Sequence, residues 1–293
     1  MYDIEALYEA NSVENAISLL QEHPEALILA GGSDLLVKIR EGKLAGCTLV
    51  SIQKLDELRG VSMDEDATLR IRPLTSFSHV TRDPLIQQHI RVLGEAVDQV
   101  GGPQVRNIGT IGGNVCNGVT SADSGSTLVA WDAVMELTGP DGVRRVPIQE
   151  FYIKAGKVAL KPAELLTAIL IPRESYENCF GHYIKYAMRG AMDIATLGCS
   201  VNVRLSADKK TVERVRVAYG VAGPVPMRAP GAELSATGKP VSRETIEAAA
   251  KASLNDVNPR TSWRASRELR LQLVEELTRR AFESAVILAG GAL

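Results

Sequence analysis

Two stretches decide how this chain is read: Leu29-Ala30-Gly31-Gly32-Ser33-Asp34-Leu35, directly after Leu27-Ile28, and Ile108-Gly109-Thr110-Ile111-Gly112-Gly113-Asn114. Adjacent glycines let the backbone reach positive φ and leave several N–H groups unshielded by side chains. That is the chemistry of a pyrophosphate cradle, and two cradles in one fold suggest a dinucleotide held from both sides. A Gly-Gly pair on its own is equally ordinary turn punctuation, so the neighbours carry the argument. Ser33 offers a hydroxyl to a phosphate oxygen and Asp34 a carboxylate to cap the next helix. Thr110, Gly113, Asn114 and the later Asp123 bring hydroxyl, amide and carboxylate groups together, which suits ribityl and ribose hydroxyls.

Working outward, Val13, Ala16, Ile17 and Leu20 recur at helical spacing behind Ser12 as N-cap, and Pro24 marks the stop. Residues 26–30 read as a buried strand and 34–40 as a helix. The first glycine pair therefore sits where amides at a helix start favour anions. Residues 48–52 give a second strand, and 61–72 a hairpin through Asp64-Glu65-Asp66. Asp83-Pro84 reads as an N-cap with proline at the first helical position, opening a helix toward Leu93. A further helix reaches Val100 and ends at Gly101-Gly102-Pro103. Strands at 133–138 and 143–148 are joined by Gly139-Pro140-Asp141-Gly142, and 165–171 is closed by Pro172. The polar, aperiodic run 173–178 marks a boundary. Beyond it lie strands at 182–187, 197–205 and 211–221, the last two joined as a meander through residues 206–210, and helices at 242–254 and 266–288 complete an α+β unit.

Composition narrows the function. The net charge of −2 gives no footprint for nucleic acid or an anionic membrane. An aromatic content of 4% argues against base-stacking platforms. The start, Met1-Tyr2-Asp3-Ile4-Glu5, lacks the features of a secretory signal, and no apolar run reaches the ~18 residues of a membrane span. A cytoplasmic chain is expected. Cys47, Cys116, Cys179 and Cys199 are scattered, which suits neither a zinc site nor a ferredoxin-type cluster. His23, His79, His89 and His182 show no metal-ligand spacing either. G-x-G-x-x-G, the P-loop pattern and the G-x-S-x-G elbow are absent. No acid–base pair or nucleophile stands out, so in an enzyme a cofactor would carry the chemistry.

At this point the chain resembles a family. Leu29–Leu35 is similar to the first FAD loop of the molybdenum hydroxylase flavoproteins, and Thr110-Ile111-Gly112-Gly113-Asn114 with Asp123 to their second. Gly102-Pro103-Gln104-Val105-Arg106-Asn107 leads into that loop. The run from Arg260 to Arg270, ending Arg264-Ala265-Ser266-Arg267-Glu268-Leu269-Arg270, resembles the closing R-A-S-x-E-[YF]-R of the family, with Leu269 where an aromatic is usual. The stretches 118–124 and 186–194 are similar to the bacterial xanthine-dehydrogenase branch in particular.

The resemblance implies an α+β chain with a vanillyl-alcohol-oxidase (PCMH)-type FAD-binding fold. Two α/β subdomains, near 1–55 and 56–175, would clasp extended FAD, and 176–293 would form a C-terminal α+β domain with an antiparallel sheet and helices. Leu29, Ala30, Gly31, Gly32, Ser33, Asp34 and Leu35 would form the pyrophosphate loop. Gly101 would lie near the flavin, and Thr110, Gly113, Asn114 and Asp123 would hold ribityl and diphosphate groups. Leu166 would pack against the adenine or flavin edge, and Lys185 would hydrogen-bond the isoalloxazine carbonyl region. The functional implication is the FAD-binding subunit of a xanthine-dehydrogenase-like molybdenum hydroxylase. Electrons from purine hydroxylation at a molybdopterin centre would pass through 2Fe-2S clusters in partner subunits to FAD, and a hydride would go on to NAD. A dimer of heterotrimers is implied, with a molybdopterin-binding large subunit and an iron–sulfur small subunit. The alternatives are the medium subunit of a carbon monoxide, nicotinate or aromatic-substrate enzyme, a stand-alone flavoprotein oxidoreductase, and a non-catalytic nucleotide-binding scaffold. Structural readings stand beside these: Asp123 or Ser33 as a helix cap, Lys185 as an edge-strand guard, and Arg264, Arg267 and Arg270 as a solvated helix face or a subunit interface. Leu269 is expected to pack in a core.

Overall fold

The computed structural model describes residues 2–293. The chain opens with β1 (Ile4–Glu9), α1 (Val13–Glu22), β2 (Leu27–Leu29), α2 (Leu35–Arg40) and β3 (Cys47–Ser51). β3 lies between β1 and β2 and runs parallel to both. Parallel neighbours need crossover connections, which α1 and α2 supply. Ser12 caps α1 by accepting the Asn15 N–H at 3.0 Å, and Val13, Ala16, Ile17 and Leu20 are its buried face. Pattern and structure agree there because the amphipathic period and the cap point the same way.

The next part begins with the hairpin β4 (Val61–Met63) and β5 (Leu69–Ile71). It continues through α3 (Phe77–Arg82), α4 (Pro84–His89), α5 (Arg91–Val97), α6 (Pro103–Ile108), α7 (Ile111–Cys116) and α8 (Asp123–Ala130). Then come β6 (Val134–Gly139), β7 (Gly142–Pro147), α9 (Ile148–Phe151), β8 (Tyr152–Lys154), β9 (Lys157–Val158) and β10 (Leu165–Ile171). A five-stranded sheet forms in the order β4-β5-β10-β6-β7, antiparallel throughout. Asp83 caps α4 as expected, accepting the Leu85 N–H at 2.9 Å. The helix does not run to Leu93, however. At Ile90 the backbone leaves the helical region (φ −142°, ψ 49°), and α5 starts afresh. Helices α3, α6 and α7 span six residues each, too short for a 3.6-residue period to register.

The last part holds α10 (Arg173–Tyr176), β11 (Phe180–Tyr186), β12 (Leu197–Leu205), β13 (Val212–Gly220), β14 (Met227–Arg228), α11 (Pro230–Ala236), α12 (Arg243–Ala252) and α13 (Arg267–Leu288). Its sheet runs β11-β12-β13-β14, antiparallel. Side chains alternate across a strand. Cys199, Val201 and Val203 of β12 thus join the core beneath α13, while Asn202 faces the other way and donates to Ala130 O at the end of α8. α8 is buried along its whole length, and its small residues Ser124, Gly125 and Ser126 let it fit between neighbouring layers. Asp132, just beyond it, pairs with Arg216 at 3.2 Å and with Arg228. No helix among the described residues is long and apolar enough to cross a membrane.

The closing motif departs from expectation in two ways. Arg270 is not on a solvated face: it is 2% exposed and donates to Thr196 O at 3.2 Å, Ser262 Oγ at 2.8 Å and Arg260 O. Leu269, expected in a core, is 36% exposed. The arginine sits one position from the leucine on a helix, so only one of them can face inward, and the guanidinium has the acceptors waiting. Arg270→Ala should lower stability by about 2–3 kcal/mol, because buried carbonyls lose a charged donor. A urea titration should show the midpoint falling at constant slope.

Candidate functional site

The two glycine segments meet. A Cβ built on Gly31 would stand 2.1 Å from Ile108 O and 3.3 Å from Gly109 Cα, so only a hydrogen fits there. Gly32 takes φ +73°, turning the chain from β2 into α2. Between the segments lies a cavity of about 680 Å³, within the range of small-molecule and cofactor sites. Ala30, Gly31, Gly32, Ser33, Asp34 and Leu35 line one side. Gly101, Thr110, Gly113, Asn114, Asp123 and Leu166 line it too. Of the residues named from the sequence, Leu29 and Lys185 do not reach it. Leu29 is buried against Ile39 and Leu49, supporting the turn from beneath.

The two lips are built differently. In the first, the N–H groups of Gly31, Gly32, Ser33, Asp34 and Leu35 find no acceptor among the described residues. This is the open cradle. In the second, the protein already uses the amides: Ile111 N–H donates to Thr75 O at 3.0 Å, Gly112 N–H to Pro73 O at 2.9 Å, and Gly113 N–H to Thr110 Oγ1 at 3.1 Å. Its glycines serve close packing, since a Cβ on Gly112 would lie 2.3 Å from Pro73 Cβ. The expectation of two amide cradles is corrected accordingly. The second lip presents side chains: the Thr110 hydroxyl, and Asn114, whose Oδ1 accepts from Ser124 Oγ at 2.7 Å and leaves its NH2 free to turn to the cavity.

Asp34 stands at the N-cap of α2, yet its carboxylate makes no cap hydrogen bond. It pairs instead with Lys38 Nζ at 2.6 Å, one helical turn on. Lys38 also lines the cavity and donates to Asn117 Oδ1 at 3.1 Å, across the cleft. Sequence reasoning named Asp34 but missed Lys38 and Asn117, although the i,i+4 spacing of Asp34 and Lys38 on a short helix was a usable signal for the lysine. Asp193 and Ile194, from the connection between β11 and β12, complete one end of the lining.

Asp123 is not an N-cap either; Ala122 holds that position. Its carboxylate accepts from Tyr183 OH at 2.7 Å and Lys185 Nζ at 2.8 Å. Lys185 also donates to Gln99 O at 3.0 Å, and its side chain is 7% exposed. β11 is an edge strand, but this lysine points inward and guards nothing. Burial pushes the Asp123 carboxyl above the usual carboxylate range, while the Lys185 ammonium and the Tyr183 hydroxyl pull the other way. Burial raises the Tyr183 phenol well above its ordinary value, keeping it a donor. Cys116, at the cavity wall, is pushed up to about 12 by desolvation, so it stays a neutral thiol. Among the described residues no cluster of His, Cys, Asp or Glu could hold a metal ion.

A cleft lined from both the parallel and the antiparallel sheet, with bare amides on one wall and hydroxyl and amide side chains on the other, defines a binding site for a nucleotide-type cofactor. Comparison with known proteins specifies it. The sequence family described as the FAD binding domain in molybdopterin dehydrogenase matches residues 2–174, and the CO dehydrogenase flavoprotein C-terminal domain matches 182–285. The chain is 42% identical over 293 residues, all of both chains, to a putative xanthine dehydrogenase FAD-binding subunit of Escherichia coli K12. It is 30% identical to the carbon monoxide dehydrogenase medium chain of Hydrogenophaga pseudoflava, over 94% of each. A solved structure of carbon monoxide dehydrogenase from that organism superposes with a TM-score of 0.91 at 29% identity, covering 97% of this chain and 98% of that one. The chain belongs to the FAD-binding subunits of the molybdenum hydroxylase family, has their PCMH-type fold and is close to the xanthine dehydrogenase FAD subunits.

Gly31→Ala should force the lips apart at a cost of about 3 kcal/mol, the upper end for overpacking because the obstacle is backbone. Purified protein should carry less flavin and melt earlier. Asp123→Ala should cost about 3–5 kcal/mol by leaving Lys185 buried without its carboxylate. Pairing it with Lys185→Met should recover much of that loss in a denaturation series.

Proposed function

We propose that this chain is the flavin subunit of a xanthine-dehydrogenase-like molybdenum hydroxylase, carrying electrons from partner 2Fe-2S clusters to NAD. The observation that carries the reading is the juxtaposition of unpaired Gly31–Leu35 amides with the Thr110, Asn114 and Asp123 side chains across one cleft. These residues fit FAD: bare amides suit a diphosphate, and hydroxyl and amide groups suit a ribityl chain. FAD, when bound, supplies the two-electron chemistry.

The protein's part is binding and orientation. Gly31 to Leu35 would receive the diphosphate on backbone N–H groups, with the Ser33 hydroxyl as a further donor. Thr110 and Asn114 would take the ribityl hydroxyls, and Asp123, held in place by Tyr183 and Lys185, would be available to the same chain. Leu166 would give an apolar contact, and Gly101, at φ +49°, would leave the backbone bare on its stretch of the lining. Lys185 acts through Asp123, since its ammonium is held on that carboxylate and on Gln99 O. Molybdopterin and iron–sulfur clusters belong to a large and a small partner subunit, and a dimer of heterotrimers in the cytoplasm is the assembly we assign.

Isolation of the native complex tests this. It should contain two further subunits, molybdenum, iron and FAD, and reduce NAD with xanthine. Ser33→Ala and Asn114→Ala should each weaken FAD binding by about tenfold, the value of one hydrogen bond near a charged group. Full flavin content and unchanged turnover in both variants would remove those residues from the site.

A further inference from the structure

We propose that Lys38 is the counter-charge for the diphosphate of the bound dinucleotide. This deepens, and rests on, the flavin-binding reading above. A diphosphate brings two negative charges into the cleft, yet among the described residues Lys38 is the one lysine or arginine that lines it. The other charged residues of the lining are Asp34, Asp123 and Asp193. Asp123 is answered by Lys185 at 2.8 Å and Asp193 by Arg189 at 3.6 Å, both from outside the lining. Without Lys38 the wall would meet a dianion with carboxylates and no cation of its own.

Its placement fits that task. α2 returns Lys38 to the cradle, where its ammonium lies 2.6 Å from the carboxylate of Asp34, whose own N–H is one of the open donors. The ammonium also reaches Asn117 Oδ1 at 3.1 Å, at the end of α7 on the opposite lip. An ammonium has three donors, so one remains for a phosphate oxygen. The pair with Asp34 is half-exposed on both sides, and such pairs are weak enough to exchange for a charge-assisted bond to phosphate. Lys38 therefore does two things at one atom: it ties the lips together and supplies the positive charge the amides only approximate.

The two roles separate experimentally. FAD binding to the full-length chain freed of flavin is measured by fluorescence quenching across a range of salt concentrations. Lys38→Met should weaken binding about ten- to a hundredfold and flatten its dependence on salt. Lys38→Arg should restore most of both. Asn117→Ala removes the tie but keeps the cation, so it should keep the salt dependence of the parent whatever it does to Kd. Lys38→Met with the parent's Kd and salt dependence would overturn the proposal. So would equal losses in Lys38→Met and Asn117→Ala with the salt dependence intact, which would leave Lys38 a tie only. Failure of the parent chain to bind FAD would instead sink the flavin reading itself.

Discussion

The contact of Gly31 with the backbone of Ile108 and Gly109 is the constraint on which the rest of the site depends. It brings a turn of the parallel sheet onto a loop of the antiparallel part without any side chain between. An elongated cofactor needs two walls at a fixed spacing, and a backbone-to-backbone contact fixes it more tightly than interdigitated side chains could. Neighbouring hydrogen bonds reinforce it. Gln53 Nε2 donates to Ala30 O at 2.7 Å, and Arg59 Nη1 to Leu74 O at 3.3 Å, tying the segment after β3 to both sides. On the second lip the Gly112 approach to Pro73 does the same work within the antiparallel part.

The third sheet reaches the site through α8. This helix is wholly buried, presents Asp123 at its start to the cavity, and meets β12 and β13 along its length. Asp123 is then held by two residues of β11, two positions apart and thus on one face of the strand. A carboxylate that burial disfavours stays in place because an ammonium and a phenol converge on it. The residues beyond 175 are in this sense part of the cleft's rigidity, although few of them line it.

How much of this was legible follows from the physics of each signal. The α1 face, the Asp83 cap and the strand Leu165–Ile171 could be read because periodicity, capping and a proline stop agreed. The cleft residues came from a family likeness laid over polar neighbours, and most line one cavity. What stayed hidden was how each glycine is used. Gly31-Gly32 and Gly112-Gly113 look alike in sequence, yet one pair opens amides and the other closes on Pro73, a distinction that tertiary contact alone decides. Arg270 was misread for the same reason. Its acceptors are Thr196 O, which only the fold brings near, and Arg260 O and Ser262 Oγ, which the chain folds back over the start of the helix.

The charge pattern of the cleft leads one step further. Each carboxylate in the lining has its own cation, and Lys38, the one cation of the lining among the described residues, is shared with Asp34, so side-chain charge alone cannot balance a dianion. Beside Lys38, attraction has to come from the dipoles of the Gly31–Leu35 amides, which work well only where water is kept out and the backbone is held still. Leu29 beneath the turn and the Gly31 contact beside it hold that backbone. Affinity here is therefore a property of main-chain geometry first and of side-chain identity second. That ordering explains why the most informative residues in the sequence were the ones with no side chain.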